Sequence, residues 1–214
     1  MRIVVAGGHG QVALRLERLL AEGGHEVVGI VRKPEQVPDL EAVGAAAAVL
    51  DLEDTTAEAL ADVVRGADAV VFAAGGGPDG NAARKWTVDK GAAVMLADAA
   101  ESAGVRRYVM VSSMGTERAD PDSEDVFQVY LRAKQQADDD LRSRDLDWTV
   151  VKPGRLVDEP GTGRVAAGSV ERGEIPRDDV AAVLAAVLET PGTVGKTFAL
   201  VGGETPVAEA VSRL

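Results

Sequence analysis

The chain has no cysteine, which excludes a disulfide framework, a thiolate nucleophile and any cysteine-ligated zinc or iron-sulfur cluster. It has two histidines, His9 inside a glycine loop and His25 just ahead of an apolar run. Neither has the spaced histidine or carboxylate companions of a metal site or a Ser-His-Asp triad, so both are expected to be loop residues. Aromatic residues are only 3% of the chain, leaving little stacking surface for a planar ring such as a flavin or tetrapyrrole. Basic residues are outnumbered, 23 Lys and Arg against 35 Asp and Glu, and they form no basic run. The resulting net charge of -12 repels nucleic acid and anionic lipid, so neither partner is expected and a small-molecule substrate is. No apolar run approaches the roughly 20 residues that span a bilayer. The opening "MRIVVAGGHG" is too short in its apolar part for a signal peptide, and a cytoplasmic protein is expected.

What is present is a rhythm. At 214 residues one domain is expected, as a monomer or homodimer. Short valine-rich runs alternate with stretches of helical period, the pattern of βαβ units around a parallel sheet. The predicted strands are Arg2 to Ala6, Glu26 to Val31, Ala46 to Leu52, Asp68 to Ala74, Arg107 to Ser113, Trp148 to Pro153 and Thr197 to Gly202. Helices are predicted over Gln11 to Ala21, Ala57 to Arg65, Asn81 to Ala103, Val126 to Arg144 and Arg177 to Leu188, with a last one at the C-terminus. The fold class is α/β, a doubly wound parallel sheet of Rossmann type with helices on both faces. Two irregular segments after strands, Gly75 to Trp86 and Met114 to Asp125, should lie at the carboxyl edge of the sheet, where such folds bind ligands. The longest unpatterned stretch, Gly154 to Pro176, reads as a lid, a binding loop or a short hairpin.

Directly after the first strand comes "VAGGHGQVALRLERLL", with Gly7, Gly8 and Gly10 before a helix and the small Ala13 inside it. Glycines here allow a tight turn and let backbone N–H groups approach a pyrophosphate, while the helix presents its positive end. Gly7, Gly8, His9, Gly10, Gln11 and Val12 are therefore the candidate phosphate-binding residues. At the end of the second strand an acid would select NAD, but "GIVRKP" offers Arg32 and Lys33. Two cations suit a 2'-phosphate, so NADP(H) is the expected cofactor. Further on, Tyr130 precedes Lys134 by one helical turn, which brings phenol and ammonium to one face. The spacing alone permits catalysis without requiring it.

The order of "VRKP", "DLED", "FAAGGG", "VDKGAA", "YVMVSSMGT", "YLRAK", "WTVVKPGRL" and "GEIPRDDVA" behind the glycine loop resembles the short-chain dehydrogenase/reductase superfamily, in particular its atypical short members of epimerase/dehydratase-like or NmrA-like type. The resemblance implies that Asp51 and Leu52 flank the adenine, that Ala73, Ala74 and Gly75 line the cofactor, and that Pro153 and Gly154 lie near the nicotinamide. It also implies that Tyr130 exchanges the proton at the substrate oxygen and that Ser113, or else Ser112, positions that oxygen. Lys134 would bind the nicotinamide ribose and lower the tyrosine pKa. Where many relatives have asparagine this chain has Asp89, and only about sixty residues follow Pro153, a minimal substrate-side region that makes nucleotide-sugar chemistry doubtful. The expected function is an NADP(H)-dependent oxidoreductase acting on a small carbonyl, alcohol or conjugated substrate. The alternatives are a non-catalytic NADP(H) sensor, a flavin or tetrapyrrole reductase, and a sugar epimerase or dehydratase. Arg155, Arg164, Arg172 and Arg177 are available to an anionic substrate, although dispersed arginines on an acidic protein are usually solvated.

Overall fold

The structure is a computed structural model describing residues 1–77 and 80–214; Pro78 and Asp79, within the predicted Gly75 to Trp86 loop, lie outside the described residues. Among the described residues the strands are β1 (Arg2–Ala6), β2 (Glu26–Val31), β3 (Ala46–Val49), β4 (Ala69–Phe72), β5 (Arg107–Val111), β6 (Asp147–Pro153), β7 (Arg155–Val157), β8 (Arg164–Gly168), β9 (Glu174–Pro176), β10 (Lys196–Gly202) and β11 (Thr205–Pro206). The helices are α1 (Gln11–Glu22), α2 (Val37–Ala42), α3 (Ala57–Val64), α4 (Ala82–Arg84), α5 (Ala93–Ala103), α6 (Val126–Arg142), α7 (Arg177–Glu189) and α8 (Val207–Ser212), and a π-helical segment, Lys85–Ala92, joins α4 to α5.

Nine strands form one sheet in the order β11-β8-β10-β6-β5-β4-β1-β2-β3. From β10 to β3 every neighbouring pair is parallel. Successive side chains of a strand point to opposite faces, and β1 uses both. Ile3 and Val5 pack with α1 and α7, whereas Val4 and Ala6 pack with α3 and α5. A strand buried on both faces must be apolar throughout, which is why β1, β4 and β5 read as continuous hydrophobic runs. The chain steps outward from β1 to β2 and β3, then returns to place β4 on the other side of β1. That reversal opens a crevice at the carboxyl ends of β1 and β4.

The strands predicted to end at Leu52, Ala74 and Ser113 stop at Val49, Phe72 and Val111, α2 is not among the predicted helices, and two further stretches are built differently. The third strand stops at Val49, because the Leu50 N–H still reaches Val31 O (2.8 Å) but Asp51 already begins a turn closed by the Asp54 N–H. The predicted helix from Asn81 is wound in three parts, with Asn81 Oδ1 capping the Ala83 and Arg84 N–H groups ahead of the π-helical turns. The stretch Gly154 to Pro176 is neither loop nor hairpin: β7 and β9 pair in parallel with each other, and β8 between them runs antiparallel to β10 at the sheet edge. These are long-range pairings that no local alternation announces. No helix among the described residues is long and apolar enough to cross a membrane.

A buried acid sits under the crevice. Glu17 of α1 is fully buried, and neither carboxyl oxygen has a hydrogen-bond partner among the described residues. A Cβ on Gly29 would lie 2.4 Å from its Oε1, so the absence of a side chain in β2 is what admits this carboxyl. Burial pushes its pKa from 4.5 up to about 8. The unfolded chain would release this proton at lower pH than the folded one, so stability falls as pH rises between those two values. Glu17→Met keeps an unbranched side chain of similar size without the ionisation. Its thermal unfolding midpoint should exceed the parent's by a margin that widens from about pH 5 to pH 8; equal margins at both pH values would show that Glu17 is not held neutral by burial.

Candidate functional site

Gly7 follows β1 with φ +83°, and a Cβ there would come within 2.6 Å of Ala74 Cα in the loop after β4. Only glycine takes this conformation and this contact together. Gly8 serves packing: its N–H donates to Ile30 O (2.9 Å), and a Cβ would strike Glu17 and Gly29. Gly10 is the N-cap of α1 and brings no side chain to cap that helix end, and no acid occupies its first turn. The first N–H groups of α1 thus point unopposed into the crevice. A Cβ on Gly10 would approach Gly7 O at 3.0 Å and narrow the same opening.

From this loop two cavities extend along the sheet edge. One, of about 300 Å³, is lined by Gly7, His9, Gly10, Arg32, Asp51 and Leu52 together with Ala73, Ala74 and Gly75. His9 is tethered there by Asp39 at 2.7 Å. The Arg32 guanidinium has no carboxylate within ion-pair distance among the described residues, since nearby Glu53 is engaged by Arg84 (2.8 Å) and Thr87 (2.7 Å). Asp51 accepts the Glu53 N–H at 3.0 Å and so helps to close its own turn. Gly8 and Lys33 lie outside the linings of both cavities.

The second cavity, about 720 Å³, brings together Gly10, Gln11, Val12, Ala73, Ala74, Gly75, Ser113, Tyr130, Lys134 and Pro153. Lys134 is 3% exposed, donates to Val111 O (3.0 Å) and Ala74 O (3.4 Å), and pairs with Asp89 (3.5 Å). Asp89 is itself buried and accepts the Gly76 N–H at 2.9 Å. The wide π-helical turns turn Asp89 inward, a local distortion often found at functional sites. Sequence reading left its role open; here it binds the loop after β4 to the lysine. Ser112 and Ser113 are also told apart. Ser112 Oγ donates to buried Asp138 at 2.8 Å, whereas Ser113 lies beside the Tyr130 phenol.

The electrostatics differ from the expected lowering of the tyrosine pKa. Burial raises the Tyr130 pKa and outweighs the neighbouring Lys134 ammonium, which lowers it; Asp89 adds to the rise and the Ser113 hydroxyl opposes it. Asp89 in effect answers part of the charge that Lys134 would otherwise direct at the phenol. At neutral pH Tyr130 is a phenol and hence a proton donor.

Two features escaped the sequence reading. Lys85 lines the larger cavity at 6% exposure. Lys152 interrupts the apolar run of β6 because its ammonium meets Asp138 (3.3 Å) and Thr116 (2.7 Å) behind Ser112. A lysine inside a run that is otherwise Val and Pro was the available signal for the second. Nothing local distinguished Lys85 from the other cations of its helix.

The profile of the NAD(P)H-binding family matches residues 7–191. The chain is 38% identical to a Bacillus subtilis (strain 168) protein named as the uncharacterized sugar epimerase YhfK, with 100% of both chains covered. It is 28% identical to the NAD(P)H azoreductase of Xenophilus azovorans, over 94% of this chain and 68% of that protein. A solved structure from Bacillus halodurans, assigned as an NAD-dependent epimerase/dehydratase, superposes with a TM-score of 0.93 at 39% identity over 100% of each chain. The glycine loop at the crevice, the two cavities that flank it and these matches lead to one conclusion: the chain belongs to the NAD(P)H-binding family.

Proposed function

We propose that the protein is an NADP(H)-dependent oxidoreductase that reduces a small carbonyl or conjugated substrate. The observation that carries this reading is the convergence of Ser113, Tyr130 and Lys134 on the cavity that begins at the glycine loop. The residues fit a dinucleotide: the uncapped N-terminus of α1 suits the pyrophosphate, and Arg32 at the end of β2 suits a 2'-phosphate. When bound, the nicotinamide supplies or accepts the hydride.

The chain's own residues handle the proton. Tyr130, kept protonated by burial, donates its proton to the substrate oxygen as negative charge develops there. Ser113 holds that oxygen by a second hydrogen bond. Lys134, fixed by Val111 O and Asp89, stabilises the phenolate left behind and is placed to hold the ribose. The apolar lining from Val126, Phe127 and Leu156 suits a compact acceptor better than a polyhydroxylated sugar. This favours the reduction named in the azoreductase relative over the epimerisation named in the other. One observation favours a second reading, a cofactor-binding sensor of NmrA-like type: Asp89 offsets the charge that would activate Tyr130.

Arg32→Ala should reduce a preference for NADPH over NADH by about tenfold or more in titration calorimetry, with high salt weakening the parent's preference in the same direction. Equal parent affinities for the two would overturn the NADP(H) assignment.

Tyr130→Phe should slow reduction of quinones, azo dyes or aldehydes by about a hundredfold while leaving NADPH affinity nearly unchanged. Turnover at the parent rate would remove the catalytic role, and tight NADPH binding with no turnover across that panel would favour the sensor.

Because a proton donor works only while protonated, reduction should hold steady through neutral pH and decline only as pH climbs to the raised Tyr130 value. Asp89→Asn removes the negative charge that contributes to that rise, so the alkaline limb of the pH profile should move to lower pH. An unmoved limb would show that Tyr130 is not the titrating group.

A further inference from the structure

Lys85, Lys134 and Lys152 are each less than a tenth exposed. Burying an ammonium is costly unless a counter-charge is buried with it. Lys134 has Asp89 at 3.5 Å and Lys152 has Asp138 at 3.3 Å. Lys85 has no carboxylate within ion-pair distance among the described residues; its ammonium donates to the Gly77 carbonyl and stands 6.0 Å from the centroid of the Tyr130 ring. An ammonium carries three donors, and one carbonyl takes one of them.

Among the described residues, the surrounding cavity supplies no carboxylate for Lys85. Asp89 lines it but is taken by Lys134 and the Gly76 N–H. Arg177, also in the lining, is a further cation, matched by Asp158 at 2.7 Å. On the far side of Tyr130 an adjoining cavity of about 400 Å³, which shares Ser113 and Tyr130 with the first, adds Arg172, likewise without a carboxylate partner among the described residues. Of the four arginines singled out in the C-terminal part, Arg155 pairs with Glu174 and Arg164 donates to Glu204 O, so Arg172 alone joins Lys85 in facing the substrate side unmatched. The protein as a whole carries -12, yet the space around its phenol is positive.

We propose that Lys85 receives a carboxylate of the substrate, and that the protein acts on small organic acids whose carbonyl or conjugated oxygen lies at Tyr130. The proposal rests on the reductase reading of this cavity and narrows it to anionic substrates. The ligand's carboxylate supplies the counter-charge that the described residues do not, and Val126, Phe127 and Leu156 receive its apolar body.

The test uses para-carboxybenzaldehyde and its neutral methyl ester, titrated calorimetrically into the protein saturated with NADP⁺, alongside turnover with NADPH. The parent should bind the acid about tenfold more tightly than the ester. Lys85→Met should bring the acid down to the ester's affinity, and Lys85→Arg, which keeps the charge, should restore part of the difference. An acid bound no more tightly than the ester by the parent, absence of binding by both included, overturns the proposal. So does a loss of NADPH affinity in Lys85→Met as large as the loss for the acid, because the ammonium would then serve the cofactor. Turnover of both probes without preference overturns the Lys85 site and leaves the reductase reading standing. An acid preference combined with parent-rate turnover in Tyr130→Phe supports the Lys85 site and removes the catalytic reading instead.

Discussion

The contact on which this molecule depends is the one between Gly7 and Ala74, where a side chain on the first would lie 2.6 Å from the backbone of the second. Parallel neighbours β1 and β4 deliver their following loops to the same place, and the chain fits there only because one partner is a glycine with positive φ. The contact brings the N-terminal end of α1 beside the loop that carries Ala73 to Gly77, so the two cavities meet in one crevice at the carboxyl ends of the strands. The same economy of volume continues underneath. Gly8 and Gly29 leave room for the Glu17 carboxyl, and the cost of that close packing is a buried acid with no hydrogen-bond partner among the described residues.

A second constraint links the loop after β4 to α6. Asp89 holds the Gly76 N–H with one oxygen and lies near Lys134 with the other, and Lys134 in turn reaches the carbonyls of Val111 and Ala74. Two strand ends and two helical segments therefore meet at one buried ion pair. Such a pair is expensive to desolvate and more expensive to break, which makes it a device of position more than of stability. Its chemical effect is to moderate the lysine: burial and Asp89 together keep Tyr130 a donor, where an unopposed ammonium would make it more acidic. Behind it, Ser112, Asp138, Lys152 and Thr116 form a second polar cluster that holds the start of the loop after β5 and leaves Ser113 free to face the cavity.

Much of this was legible in the chain itself. Strands such as Arg2–Ala6 and Glu26–Val31 fall where the apolar runs place them, because a strand buried on both faces admits no other composition. The glycine loop, Arg32 and the Tyr130 and Lys134 spacing were readable for a similar reason: each is a short segment whose chemistry is fixed by neighbours a few residues away. Composition determined the exclusions as well, since an absent cysteine removes a chemistry whatever the fold. Tertiary structure decided what depends on distance. The three strands inside Gly154 to Pro176 exist through non-local partners, β7 and β9 through each other and β8 through β10 and β11. The choice between Ser112 and Ser113 followed from which of them Asp138 claims. The phenol's raised pKa followed from burial, and the isolation of Lys85 from the carboxylates that its buried counterparts found elsewhere. Sequence periodicity determines which face of an element is apolar, but a charge's partner and its desolvation are set by groups that only the folded chain brings within a few ångströms.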